Sequence, residues 1–345
     1  MTERNNPDCP IDLPARLRYV DDGMPGIRRR RLRGRFIYLD PDGVRIHDPD
    51  EVHRINQLAI PPAYRDVWIC PDPNGHLQAT GRDARGRKQY RYHPLWNENR
   101  NSAKYERLLS FGSALPQLRA RIDKHLGETG MGRDKVMATV VALLDETLIR
   151  VGNRRYAREN KSYGLTTLRN RHINVNGSQI RFSFKGKSGI EHDVSLTSPR
   201  LARILRRCLD LPGQQLFQYL DEDGQRHSVG SHDVNDFLRS QASGEFTAKD
   251  YRTWAGSALA LEALRKVAQS TPENPTQHVT EMVKQVAQRL GNTPAICRKC
   301  YIHPAVVDAF LTGELVGCKR PRKRKGMSPE EVALLQFLQT RQTSG

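Results

Sequence analysis

The 345-residue sequence predicts an α+β fold: a small β-rich N-terminal domain, then a larger, mainly α-helical domain that carries a three-stranded β meander. Short apolar runs bounded by turn residues fill positions 15–100, which is the pattern of small strands. From 101 to 345 apolar residues recur at helical spacing instead. A single island of strict alternation around Asn176-Gly177 interrupts the helices.

Residues 1–14 are aperiodic and are expected to be flexible. The run from Gly26 to Tyr38 ends in apolar residues, and Pro41-Asp42-Gly43 turns it. Ala63–Cys70 and His76–Thr80 read as further strands. Helices dominate after Asn101, where Tyr105, Leu108, Leu109, Leu115, Leu118 and Ile122 recur on one face. Asp134 opens a buried helix through Val136, Val140, Leu143, Leu144 and Leu148, with its last turn expected at Arg150 and a stop at Gly152-Asn153. Ile173 and Val175 alternate, Asn176-Gly177 is a hairpin turn, and Ile180, Phe182 and Phe184 alternate again. Gly186–Gly189 then turns into Ile190–Leu196, so the meander carries Lys187 at its second tip. Thr247-Ala248-Lys249-Asp250 is a capping box that starts a helix reaching about Ala268. Another helix spans about Thr276 to Leu290 and is broken by Gly291-Asn292-Thr293-Pro294; a final one begins at Pro329. No internal repeat is visible.

Fifty-six Lys and Arg against 38 Asp and Glu leave a net charge of +18, so the natural partner is a polyanion. No apolar run approaches the roughly 18 residues that cross a bilayer, and six sparse cysteines suit a reducing compartment; both point to a cytoplasmic protein without membrane contact. Gly186-Lys187-Ser188 has the ending of a phosphate-binding loop, but Arg181 stands where its first glycine belongs. HExxH, EF-hand and paired-carboxylate patterns are missing, so no metal site is expected. Cys297-Arg298-Lys299-Cys300, with His303 and Cys318, is a single CxxC whose intervening charges disfavour a cation, and ordinary helical thiols are the better reading.

What remains is a set of basic residues at distinctive places: Arg150 at a helix end, Lys187 at a hairpin tip, Arg252 just inside a capped helix, Arg298 beside Tyr301. Each alone reads as a solvated charge. Together, Leu148–Asn153, Phe184–Lys187, Ala248–Thr253 and Gly291–Tyr301 resemble, in order and spacing, the type IB DNA topoisomerases, most closely the small poxvirus and bacterial branch. Gly81–Tyr92, Asn99-Arg100-Asn101 and Glu159–His172 extend the resemblance, which runs from about Gly26 to Phe310.

The resemblance implies relaxation of supercoiled double-stranded DNA by a monomer associated with the nucleoid, without metal, cofactor or ATP. It makes Tyr301 the nucleophile that forms a 3′-phosphotyrosine and frees a 5′-hydroxyl. Arg150 and Arg252 would hold the nonbridging oxygens, a task suited to an always-charged planar fork. Lys187 would be the general acid, assisted by Lys249. Asn292 stands where eukaryotic and poxvirus members carry histidine; it can donate a hydrogen bond but cannot exchange a proton at neutral pH. Gln89, Tyr90, Tyr92, Arg100 and Tyr156 match DNA-contacting positions, with residues 15–100 as a DNA clamp and 101–345 as the catalytic domain. The Arg28–Arg31 and Lys319–Lys325 runs have no family role and read as phosphate contacts or solvated charge. Two rivals remain. A tyrosine recombinase shares this chemistry but usually shows His-x-x-Arg where this chain has Lys249-Asp-Tyr-Arg252. A non-catalytic basic DNA-binding protein would leave Tyr301 and Lys187 unexplained.

Overall fold

The computed structural model describes residues 14, 16–270, 273–316, 321, 322 and 324–343, so all but Pro14 of the segment expected to be flexible lies outside the described residues, as do Cys9 and Cys318. The chain divides into two compact units, Met1–Tyr105 and Glu106–Gly345.

In the first unit β1 (Ile27–Leu32), β2 (Arg35–Leu39), β3 (Arg65–Ile69), β4 (Leu77–Arg82) and β5 (Lys88–Tyr92) form an antiparallel sheet of order β2-β1-β3-β4-β5. Ile27, Tyr38, Val67, Ile69 and Ala79 supply its buried face. A helix, α1 (Pro49–Gln57), covers that face with Ile55, although residues 15–100 read only as strands in the sequence. Its start was legible: the Asp48 carboxylate accepts from the backbone N–H of Asp50 at 3.0 Å, and Pro49 opens the first turn. The Arg28–Arg31 run needs a correction. Arg28, Arg30 and Arg31 are exposed, but Arg29 donates to the carbonyls of Ile60, Pro61 and Tyr64 at 2.8–3.0 Å and lies over the Phe36 ring. It ties the loop before β3 to the sheet and is not free for phosphate.

The helical region begins with α2 (Pro94–Gly127), earlier than the expected start after Asn101. Next comes α3 (Arg133–Thr147), which stops short of Arg150. Leu148 adopts a left-handed conformation (φ 58°) with its N–H on the Leu144 carbonyl, and the chain leaves the helix axis there. A short α4 (Arg154–Asn160) precedes the meander of β6 (Ile173–Asn176), β7 (Gln179–Lys185) and β8 (Glu191–Thr197). Its register pairs Ile180 with Leu196, Phe182 with Val194 and Phe184 with His192.

Beyond it lie α5 (Pro199–Asp210), β9 (Gln218–Leu220), β10 (Arg226–Ser228) and α6 (Ser231–Gln241), then α7 (Ala248–Ala268), α8 (Pro275–Leu290), α9 (Pro294–Cys300), α10 (Pro304–Leu311) and α11 (Pro329–Thr343). Phe111 of α2 packs edge-on against Phe246, Tyr251 and Trp254, which seats α7 in the core. Arg119 bridges Asp145 and Glu331, and the Trp254 indole N–H donates to Glu331 at 3.1 Å. The C-terminal helix is thereby fixed to α7. Of the Lys319–Lys325 run, Arg322, Arg324 and Lys325 are exposed, and Lys319, Arg320 and Lys323 lie outside the described residues.

Candidate active site

Arg252 is placed by the start of α7. The Thr247 backbone N–H donates to the Asp250 carboxylate at 2.7 Å, closing the capping box, and Arg107 pairs with that carboxylate at 3.2 Å. One residue pair further on, the Arg252 side chain is almost fully buried, at 3 % exposure. Its guanidinium donates to the Leu148 carbonyl and, at 2.7 Å, to the Leu290 carbonyl. Both acceptors sit at helix C-terminal ends, where carbonyls lack intrahelical partners and the helix dipole favours a cation. Burial pushes Arg252 below its ordinary pKa, the neighbouring Arg150 charge adds to this, and the Tyr301 hydroxyl opposes it.

Arg150 stands in the loop after α3. Leu165 N–H donates to the Arg150 carbonyl at 2.8 Å, and Thr166 N–H to that of Val151 at 2.7 Å. Gly164 permits this approach, since a Cβ there would overlap the Arg150 carbonyl oxygen. The guanidinium donates to the Gly291 carbonyl at 3.0 Å and to the Asn292 side-chain oxygen. Gly291 ends α8 in a left-handed conformation (φ 58°), which turns Asn292 toward Arg150. The Asn292 Nδ2 and the Arg252 Nε are buried and have no hydrogen-bond partner among the described residues. Buried donors without acceptors are costly, and they mark where an anion would be held.

Tyr301 terminates α9 at φ −133°, with its N–H on the Cys297 carbonyl at 2.9 Å. Its ring lies beside the Arg252 guanidinium, 5.1 Å from centroid to Cζ, and its hydroxyl is near enough to Arg150 and Arg252 to favour the charged form of both. From α7, Ser257 Oγ donates to the Tyr301 carbonyl at 3.4 Å and accepts from the His303 N–H at 3.0 Å. Gly256 allows that contact, as a Cβ would come within 2.5 Å of the same carbonyl.

The structure therefore brings Arg150, Arg252, Asn292 and Tyr301 together. Lys187 stays apart from them, exposed in the tight turn Lys187–Gly189, its side chain without a hydrogen bond or ion pair among the described residues. Lys249 is exposed in the first turn of α7, and Tyr156 is 46 % exposed on α4. Gln89, Tyr90, Tyr92 and Arg100 belong to the other unit. There the Gln89 amide donates to Asp83 at 3.1 Å, and Tyr90 is exposed and stacked on Tyr92, which packs against the cluster of Trp68, Cys70 and Leu77. Arg100 lies within α2. Cys297 is buried, its thiol pushed up to about 11 by desolvation, and no cluster of three potential metal ligands occurs among the described residues.

Sequence reasoning missed His192. Its ring lies against Gly186 and Gly291, and the charges of Arg150 and Arg252 act on it. A signal existed: in β8 the inward positions are His192, Val194 and Leu196, so a histidine takes an apolar place in the alternation.

Two guanidinium groups beside a tyrosine, one of them holding an asparagine amide, form a cationic site with the donors that suit a phosphate group. Residues 91–313 match the catalytic core of eukaryotic DNA topoisomerase I, and residues 35–83 match the N-terminal domain of bacterial DNA topoisomerase IB. DNA topoisomerase 1B of Acanthamoeba polyphaga mimivirus is 32 % identical over 295 residues, covering 83 % of this chain and 88 % of the relative. DNA topoisomerase 1 of Rabbit fibroma virus (strain Kasza) is 28 % identical over 271 residues, 75 % and 81 % of the two chains. DNA topoisomerase 1B of Vaccinia virus (strain Copenhagen) is 25 % identical over 250 residues, 71 % and 75 %. The chain belongs to the type IB DNA topoisomerases, isomerases that bind DNA and change its topology.

Proposed function

We propose that this enzyme relaxes supercoiled duplex DNA through a transient 3′-phosphotyrosyl bond at Tyr301, and that it needs neither ATP nor a divalent ion. The observation that carries the reading is the grouping of Arg150, Arg252 and Asn292 around Tyr301, with Asn292 Nδ2 and Arg252 Nε buried and unpaired among the described residues. In cleavage Tyr301 gives its hydroxyl proton to water, its oxygen attacks phosphorus, and the bond to the 5′-oxygen breaks. Arg150, Arg252 and Asn292 meet the charge that builds on the nonbridging oxygens. Arg150 and Arg252 stay cationic in spite of burial, because a guanidinium keeps its proton at any working pH. Lys187 gives a proton to the departing 5′-oxygen and takes it back on religation; its side chain, exposed on a turn and unpaired among the described residues, is free to reach DNA. Lys249 assists it. The phosphotyrosyl bond keeps the energy of the broken diester, so resealing requires no nucleotide.

Gln89, Tyr90, Tyr92, Arg100 and Tyr156 are assigned to the duplex, supported for Tyr90 and Tyr156 by large exposed rings amid basic residues. The setting proposed is a monomer on nucleoid DNA in the cytoplasm. The net charge of +18 supports the polyanion partner, and no helix among the described residues is long and apolar enough to cross a membrane. Relaxation of a supercoiled plasmid in EDTA without ATP tests the reading. Topoisomers spreading to the relaxed distribution are expected; relaxation that appears only on adding a divalent ion or ATP would overturn it.

A further inference from the structure

His192 lies in β8 opposite Phe184, five residues after Lys187 on the same hairpin. Its ring stacks on Phe184 with centroids 4.9 Å apart and planes 5° from parallel. The ring edge fills the space over two glycines. A Cβ on Gly186, the residue before Lys187, would come within 2.5 Å of His192 Cδ2 and Nε2; a Cβ on Gly291, the residue before Asn292, would overlap Cε1 and lie 3.1 Å from Nε2. The imidazole is thus wedged between the base of the Lys187 turn and the backbone that carries Asn292. Inside the turn, Gly186 N–H donates to Ile190 O at 2.8 Å, Gly189 N–H to Gly186 O at 3.1 Å and Ile190 N–H to Lys187 O at 3.5 Å; at its base, Tyr163 N–H donates to Lys185 O at 2.8 Å. The three bonds within the turn shape the hairpin tip, and the Tyr163 bond holds the end of β7; the seat of the tip itself is the His192 ring. A ring in van der Waals contact with both backbones gives the hairpin a fixed seat.

We infer that His192 is a positioning residue: it docks the Lys187 hairpin on the Gly291-Asn292 backbone and so sets where the Lys187 ammonium stands relative to the phosphate held by Arg150 and Arg252. The inference rests on the assignment of Lys187 to the leaving oxygen. Misplacing a reacting group by about 1 Å can cost about 10²-fold in rate, so a change far smaller than unfolding suffices to see the effect. Burial and the nearby charges of Arg150 and Arg252 hold His192 below its ordinary pKa, partly offset by Glu191.

The test is a double-mutant cycle in single-turnover cleavage, with His192→Ala, Lys187→Ala and the double variant, each on normal DNA and on DNA whose scissile 5′-oxygen is sulfur. His192→Ala is expected to lose about 10²-fold on normal DNA, to recover most of it on the thio substrate, and to add little to Lys187→Ala. Gly186→Ala is the second variant. It keeps His192 but puts a methyl group where the ring sits, at a backbone angle that any residue adopts, and it should reproduce the loss and its rescue. Multiplicative losses in the double variant, or a His192→Ala defect equal on both substrates while Lys187→Ala is rescued, would overturn the positioning role. Equal impairment of Lys187→Ala on both substrates would instead overturn the acid assignment, and the cycle on normal DNA would still decide whether His192 acts through Lys187.

Discussion

Replacing Arg252 by alanine removes two things that the structure ties together. The guanidinium is 3 % exposed and is the partner of two helix-end carbonyls, Leu148 and Leu290, besides lying against the nucleophile. A buried acceptor left unpaired costs about 1–3 kcal/mol, so two cost about 2–6 kcal/mol. Relief of the buried charge's own desolvation and water entering the vacated space offset part of this, leaving about 2–3 kcal/mol. For a unit of this size that corresponds to a fall of roughly 4–12 °C in Tm. Cleavage should fall separately by about 10² to 10³, the cost of losing one preorganised donor to a developing anion. Arg150→Ala should match the loss in rate but not the loss in Tm, because Arg150 is only half-buried and one of its two acceptors is a side chain that can turn away. The assay is single-turnover cleavage of a nicked suicide duplex well below each variant's melting midpoint, together with thermal melting. A folded Arg252→Ala protein that cleaves within about tenfold of the wild-type rate would remove Arg252 from the anion site. An unchanged Tm would refute its part in holding α3 and α8.

Lys187→Ala should be severely slow on normal DNA, by about 10² or more, yet close to wild type on the 5′-thio substrate, whose thiolate leaves without a proton. The Arg150 and Arg252 variants should show no such rescue, and rescue of either would place it on the leaving oxygen. Gly164→Ala puts a methyl group against the Arg150 carbonyl and should slow cleavage by up to about 10² with duplex binding retained; a full-rate variant would show the loop to be tolerant. The His192 ring should titrate below 6.5 by NMR, because burial, Arg150 and Arg252 disfavour its charged form, with Glu191 acting in the opposite sense. Its protonation therefore opposes folding, a cost absent above 6.5 that grows as the pH falls through that value. Arg150→Ala should move the midpoint back up, and an unmoved midpoint would contradict the proximity.

The elements that carry the site were legible where local signals are strong. Asn176-Gly177 fixed the first turn of the meander, and Thr247 to Asp250 fixed the start of α7, because hairpin turns and capping boxes are decided within four residues. The end of α3 was placed too late, since Leu148, Ile149 and Val151 keep the chain apolar after the helix has stopped and the left-handed turn at Leu148 has no glycine to announce it. In sequence Arg29 reads like its neighbours, as a phosphate contact or solvated charge, because three carbonyls brought together by a distant loop leave no mark in the run itself. His192 is marked only by its apolar place in the β8 alternation; its two glycine contacts come from positions 186 and 291, and only the fold joins them. By contrast Arg150, Arg252, Asn292 and Tyr301, widely separated in sequence, were picked out by the order and spacing of whole motifs, and the structure brings them together.

The most direct test of the account is the covalent bond itself. A suicide duplex incubated with the enzyme in EDTA without ATP, then denatured and digested, should yield a single DNA-linked peptide with the phosphate on Tyr301, and Tyr301→Phe should yield none while still binding the duplex. An adduct formed by Tyr301→Phe, or one mapped to any other residue, would contradict it.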